Sequence, residues 1–351
     1  YALCEEFSAR NCIVYASARR LSALANLPAS VHRIELDVLS AASSRAAVDQ
    51  VIAEQGRIDV LVNNAGAGGT GALLDADVES DEGAKATVGP PLAVPRAPLF
   101  RSAACVVVEA DTQRSPPSPQ FEVNVWAPLR LSKIVVPHMV RQKSGLIVNV
   151  GSIVGELSYA PFRGLLTALI EMSAHRASAR RTPSRDPGTI PTPWSGVYSA
   201  SKAALHAFTE VLRMETEGFG LDIMLVAPGA IKSQFGQKQL ATFKLPDDSL
   251  YKDVADEIAK RAEISQRQAT DASHSYGPDH TTPAAVLARG VVSRALRSRP
   301  PAYYTVGGKS WVFWILERVP RTWVWAILGR AFGTWKVGKA KAGQAASKRT
   351  D

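Results

Sequence analysis

The sequence predicts an α/β fold, a parallel sheet doubly wound by helices, from three observations. Short continuous apolar runs recur along the chain, as strands buried on both faces require. Amphipathic stretches of helical length alternate with them. Several runs end in small or turn-forming residues, at the sheet edge where such folds gather their functional groups.

The elements follow in order. Leu3 and Phe7, one turn apart, mark the end of an amphipathic helix. A strand is predicted over Cys12–Ala16, closed by Arg19 and Arg20, and another over Val31–Val38. Ser43–Gln55 carries an apolar stripe of Ala47, Val48, Val51 and Ile52, hence a helix. Asp59–Val62 is a strand running into Asn63-Asn64-Ala65-Gly66. The pattern then repeats as helix Asn124–Gln142, strand Leu146–Val150, helix Tyr198–Glu217 and strand Asp222–Ala227. Two stretches break the rhythm. Residues 81–120 hold seven prolines, and 157–189 turns rich in Arg, Ser and Pro. Both are predicted to be irregular insertions, either surface segments or translated non-coding sequence, because the flanks join smoothly without them.

Length and composition narrow the class. With 351 residues, 46% hydrophobic and 21% charged, the chain can bury a real core. Cys4, Cys12 and Cys105 are too few for a disulfide framework and lack metal-ligand spacing, so no metal is expected. No run of 18 apolar residues predicts a spanning helix, and Tyr1 opens on an acidic helical stretch, not a secretory leader. The net charge of +9 is concentrated: Ser293–Asp351 holds 12 Lys or Arg against 2 Asp or Glu. A near-neutral domain with a basic tail is expected, not a nucleic-acid-binding fold.

Four groups carry chemistry. Tyr198-Ser-Ala-Ser-Lys202 sets phenol and ammonium on one helical face, where Lys202 is expected to lower the Tyr198 pKa so that the phenol exchanges protons with a carbonyl. Ser152 stands at the carboxyl end of a strand, able to donate to a substrate oxygen. Asn124, a poor helix former inside a helix, is expected to hold a water linking Lys202 to solvent. Asn63–Gly66 and Pro228-Gly229-Ala230-Ile231 are tight turns at the same edge, open to close approach of a ligand. Each signal alone is weak; their order along the chain is not.

This set resembles the short-chain dehydrogenase/reductase family over Tyr1 to Val306, the two insertions apart, and with it a Rossmann-like sheet. The resemblance implies Asn124, Ser152, Tyr198 and Lys202 as catalytic residues. It implies cofactor contacts at Arg19, Asp37, Asn64, Tyr198, Lys202, Ile231 and Ser233. Where an acid would bind the adenosine ribose, the sequence has Ala18-Arg19-Arg20, and arginine suits a 2′-phosphate, so NADPH is expected over NADH. Within the family, GSIVGE with PTPWSGVYSASKAALHA is similar to the fungal NADPH-dependent 1-acyldihydroxyacetone-phosphate reductases. That similarity implies a lipid-like ketone substrate and a place at the endoplasmic reticulum or lipid droplets. Residues between Ser233 and Gly277 would form the substrate loop. A steroid- or retinol-type dehydrogenase, or a non-catalytic remnant, are the alternatives, and a homo-oligomer is left open.

Two departures from the family pattern matter. Tyr1 falls inside the family's first helix, so the central first strand and the glycine-rich loop are expected to be missing, with poor folding and weak cofactor binding as the consequence. Ser152 and Tyr198 are 46 positions apart and meet only if 157–189 loops out. The tail, residues 307–351, holds two apolar blocks, Trp311–Leu316 and Trp323–Leu328, and five of the seven tryptophans. Blocks of six span only about 9 Å as helix, so a hairpin lying in the membrane interface is expected, the alternative being packing on the domain or a second subunit.

Overall fold

Seven apolar strands form one parallel sheet in the order β2-β1-β4-β3-β5-β6-β9. A computed structural model describes residues 1–76, 104–108, 119–155, 191–233, 245–264, 281–308, 310–316 and 319–337. Its strands are β1 (Ile13–Ala18), β2 (Val31–Glu35), β3 (Val60–Asn63), β4 (Ala104–Val108), β5 (Leu146–Val150), β6 (Asp222–Pro228) and β9 (Tyr303–Val306), with β7 (Ile231–Lys232) and β8 (Thr282–Pro283) as a separate pair. The helices are α1 (Ala2–Ala9), α2 (Ala41–Gln55), α3 (Ala127–Gln142), α4 (Gly196–Thr216), α5 (Ala255–Ile264), α6 (Ala284–Ala295), α7 (Ser310–Leu316) and α8 (Arg321–Ala331).

Alternation along the strands builds two cores. Val14, Ala16, Val60, Val62, Val148 and Met224 pack with Leu3 and Phe7 of α1 and with Val291 and Val292 of α6 on one face. Tyr15, Leu61, Ile147 and Ile223 meet Val48 and Val51 of α2 and Leu131, Val135 and Met139 of α3 on the other. The Ser40 hydroxyl accepts from the Ser43 N–H and starts α2; Gly56, at φ +72°, ends it in the left-handed region glycine adopts without strain. The sheet is doubly wound, as the sequence predicts. The predicted ranges shift by a residue or two at their ends; α6 and β9 were not read from the sequence.

One expectation is overturned. The central place is not empty: β4, drawn from the stretch predicted to be irregular over 81–120, lies parallel to both β1 and β3. Ala104–Val108 is a β-branched apolar run that satisfies the backbone groups of both neighbours, which is why it enters the gap. Cys105 and Val107 face one core and Val106 the other. Its entry is pinned by Asp59, whose carboxylate accepts the Ala104 N–H at 2.8 Å, while the Ser17 hydroxyl donates to the Val107 carbonyl at 3.1 Å. The glycine-rich loop is not found among the described residues. The second predicted insertion, 157–189, lies outside them.

The tail continues from β9. Val324 and Leu328 of α8 are buried against Phe313, Leu316, Val319 and Phe332. Phe332 reaches the domain, its carbonyl accepting the Trp194 indole N–H at 2.8 Å. The opposite side is open, with Trp323 66% and Trp325 59% exposed. Part of the tail thus packs on the domain and part faces outward. No described helix is long and apolar enough to cross a membrane.

Candidate active site

The site forms where β5 ends and α4 begins. β5 stops at Gly151, whose N–H donates to the Val226 carbonyl at 2.8 Å, and Ser152 follows, buried. On the facing segment Trp194 is held at φ +64°, a left-handed conformation that costs a non-glycine residue about 1 kcal/mol or more. The bond to Phe332 and an edge contact with Tyr251 hold it there. Ser195 then starts α4, its carbonyl accepting the Ser199 N–H at 2.9 Å. The first turn of α4 carries Tyr198, which hydrogen-bonds Ser152, 46 positions earlier in the chain.

The face of α4 below Tyr198 is polar and buried. Lys202 donates to the Val150 carbonyl at 2.9 Å and its ammonium lies 5.9 Å from the centre of the Tyr198 ring. Burial depresses the Lys202 pKa to about 8. The expected effect of Lys202 on Tyr198 is corrected here. Burial raises the phenol above its ordinary range, with the Ser152 hydrogen bond and the charge of Arg261 pulling the other way. The ammonium points at Val150 rather than at the phenol oxygen, so desolvation prevails.

One turn further, His206 accepts the Ser152 N–H on Nε2 at 3.2 Å. A side chain at Gly151 would strike this ring, its Cβ falling 2.0 Å from Nε2, so the glycine makes the contact possible. Burial, with the Lys202 charge adding to it, lowers the His206 pKa to about 3, and the imidazole is neutral. Asn149 donates to Thr209 at 2.9 Å and accepts from Asn63 at 2.8 Å, extending the network under the sheet edge. The sequence reading missed His206. Its spacing of four from Lys202 was the available signal.

Asn124 lies in helical backbone, as expected, at the turn that leads into α3. It sits in a π-helical turn, Glu122–Trp126, fully buried. Its amide donates to the Ala67 carbonyl and to the Ser201 hydroxyl, both at 2.9 Å, and its oxygen accepts the Ala67 N–H at 2.8 Å. Ser201 in turn donates to the Tyr198 carbonyl at 2.8 Å. Both N–H groups of the Asn124 amide are thus committed, and the side chain braces the turn that bears Tyr198.

The remaining predicted residues line the carboxyl edge of the sheet. Arg19 follows β1, Asp37 follows β2, Asn64 follows β3, and Ile231 and Ser233 follow β6. The Asp37 carboxylate accepts the Leu39 N–H at 3.0 Å, which fixes its turn. Gly229 is packed against Gly307 and Gly308, where a Cβ would come within 2.4 Å of the Gly308 carbonyl oxygen. Arg19 thus stands after β1 on this edge, and Tyr198 with Lys202 on α4, the helix that follows β5. Residues 109–118, which follow β4 in the sequence, lie outside the described residues.

An apolar cluster lies beside the start of α4, with Arg261 at its border. Ala72, Trp194, Val254 and Ile258 are buried there with Leu245, Tyr251 and Phe332 against them. Arg261 of α5 donates to the Thr192 hydroxyl at 3.1 Å and lies over the Phe332 ring at 5.5 Å. Its range was anticipated as part of a substrate loop; its contacts, made to residues distant in sequence, were not.

Comparison with known proteins agrees with this geometry. A family model described as short chain dehydrogenase matches residues 1–85, 105–164 and 184–243. A short-chain dehydrogenase, ptmH, of Penicillium ochrochloron is 28% identical over 323 residues, covering 91% of this chain and 88% of its own. A 3-ketodihydrosphingosine reductase of Bacteroides thetaiotaomicron is 26% identical over 262 residues, 75% of this chain and 70% of its own. A solved short-chain dehydrogenase from Streptomyces avermitilis superposes with a TM-score of 0.56 at 23% identity, over 94% of this chain and 92% of its own, a likeness of fold. With Tyr198, Ser152 and Lys202 gathered at the end of a doubly wound sheet, and the model matching more than half of its length, the chain belongs to the short-chain dehydrogenase family of oxidoreductases, which use a nicotinamide cofactor.

Proposed function

We propose that the protein reduces the ketone of a 1-acyldihydroxyacetone phosphate to 1-acylglycerol 3-phosphate with NADPH. The hydrogen bond between Ser152 and Tyr198 carries the reductase reading, because both hydroxyls then converge on one substrate oxygen. Reduced nicotinamide supplies the hydride. Ser152 donates to the ketone oxygen and orients it. As the carbonyl carbon takes the hydride, the C=O π pair moves onto oxygen, which takes the Tyr198 proton. The phenolate left behind regains its proton from solvent. A phenol whose pKa is raised stays protonated at neutral pH, the state in which it can act as the acid.

The lipid substrate has its own support. Leu73, Leu74 and Leu250 are largely exposed near the apolar wall, and the Ser249 hydroxyl donates to Asp75 to hold their two segments together. Exposed apolar surface of this kind suits an acyl chain. A second reading is favoured by the relative named 3-ketodihydrosphingosine reductase: a long-chain amino ketone in place of the phosphate ester. Turnover of 1-hexadecanoyl-dihydroxyacetone phosphate with release of the lyso-phospholipid tests the first reading. Turnover of 3-ketosphinganine alone would replace it.

Arg19, half-buried beyond β1, supports NADPH over NADH. Replacing Arg19 by Asp is expected to weaken NADPH about 10-fold or more and to leave NADH the tighter ligand, since the carboxylate accepts from a ribose but repels a phosphate. Fluorescence titration with both dinucleotides measures this; an unchanged preference would remove Arg19 from the cofactor site.

The open face of the tail hairpin is proposed to lie on a membrane surface, at the endoplasmic reticulum or lipid droplets. Trp323, Trp325 and Ile327 of α8 are exposed, as is Trp335 after it, and Arg330 stands in the last turn of the helix, a pairing that interfaces favour. Trp323→Asp with Trp325→Asp should release the chain from anionic vesicles in flotation without lowering its melting temperature. Equal flotation would dismiss the membrane.

A further inference from the structure

We propose that Arg261 recognises an anionic group of the substrate, a phosphate carried beside the reacting ketone. The inference rests on the reductase reading of Tyr198 and deepens its substrate class.

Contacts with Thr192 and Phe332 place the guanidinium. Thr192 accepts from Nη2 at 3.1 Å, and the Thr192 hydroxyl is itself 2.9 Å from that of Ser195, at the start of α4. The Phe332 ring lies 5.5 Å from the guanidinium carbon, an arrangement that sets the orientation of its plane. Trp194 ties the same Phe332 to the segment entering α4. Arginine is thus fixed next to the first turn of α4, and its charge reaches the Tyr198 phenol, the point where the ketone oxygen binds. A group that acts on this oxygen from the substrate wall also acts on substituents one or two bonds from the carbonyl.

The chemistry of the two candidate substrates differs at that place. In the acyl phosphate ester the phosphate hangs from the carbon next to the ketone, and a guanidinium fork matches phosphate oxygens in charge and shape. In the amino ketone the same neighbour is an ammonium, which a guanidinium repels. A cation in this position selects the phosphate. The remaining wall, Trp194, Ile258, Tyr251 and Leu245, is apolar or aromatic and suits the chain that follows.

The test compares 1-hexadecanoyl-dihydroxyacetone phosphate with its dephosphorylated form in the wild type, Arg261→Gln and Arg261→Lys, each loaded with NADPH. The wild type should prefer the phosphorylated ketone in kcat/KM. Arg261→Gln should cut that preference about 10- to 100-fold, mostly through KM, with Arg261→Lys intermediate. An unchanged preference in Arg261→Gln overturns the proposal and leaves the reductase reading standing. Calorimetry with decyl phosphate, set against decanol, gives a readout that needs no turnover. Weaker binding of the phosphate alone in Arg261→Gln upholds the role of the residue even if the wild type reduces neither ketone, an outcome that would sink only the proposed reaction. Equal decyl phosphate binding by all three proteins, with melting curves showing each folded, overturns it.

Discussion

Tyr198→Phe should lower the rate of ketone reduction about 10²- to 10⁴-fold while NADPH still binds. The substitution removes one oxygen and leaves the ring that Lys202 faces at 5.9 Å. What is lost is the proton that neutralises the alkoxide as the carbonyl carbon accepts hydride. Ser152 keeps its backbone bond to His206 and still donates to the ketone oxygen, so substrate affinity should fall far less than kcat. The pH profile carries the same argument. A general acid acts while protonated, and burial holds the Tyr198 phenol above its ordinary range. The phenol therefore adds no ionisation near neutrality, and its own contribution is lost as pH rises through that raised value, above the loss of the Lys202 charge at about 8. Stopped-flow decay of NADPH fluorescence, with a titration of the cofactor alone, reads both quantities. A loss smaller than tenfold would mean that another group supplies the proton.

The catalytic pair was legible because it is local. Tyr198 and Lys202 need only helical spacing to share a face, and α4 provides it. Ser152 was legible from its place after an apolar strand, and the hydrogen bond to Tyr198 follows once β5 and α4 are packed side by side. Energetic consequences were less legible. Spacing put Lys202 near Tyr198 but could not say that its ammonium turns to the Val150 carbonyl, nor that burial outweighs charge at the phenol. Asn124 was identified as unusual for a helix, and it is, but its partner Ala67 is 57 residues away and no local pattern discloses it. Arg261 is defined by Thr192 and Phe332, both distant in sequence, and a lone arginine in a polar stretch carries no mark of that.

Val107→Asp should abolish cooperative folding, and the reason lies in the least legible element of all. Ala104–Val108 is a strand signal of five residues, with Val106, Val107 and Val108 β-branched, embedded in a stretch whose seven prolines argue against regular structure. The sheet decides the matter. β1 and β3 are both parallel and both need a partner between them; any short apolar run that can reach the gap gains hydrogen bonds on two sides. Val107 is completely buried, paired with Ala16 on one side and Val62 on the other, and packed among the helices of the first core. A carboxylate there would stand among the apolar side chains of that core, and an unpaired buried charge costs several kcal/mol against a total stability of about 5–15 kcal/mol. Leu74→Asp, at a site 73% exposed, should melt with the wild type and serves as the comparison. Circular dichroism melts read the difference. Labelling of Cys105 offers a second measurement on the unmutated chain: its thiol is buried and hydrogen-bonded to Cys12, so a maleimide should reach it only at the rate of unfolding. Rapid labelling of Cys105, or a Val107→Asp melt equal to that of the wild type, would remove residues 104–108 from the centre of the sheet. With them would go the support beneath the cofactor edge, since among the described residues β4 is the strand that lies between β1 and β3, which Arg19 and Asn64 follow.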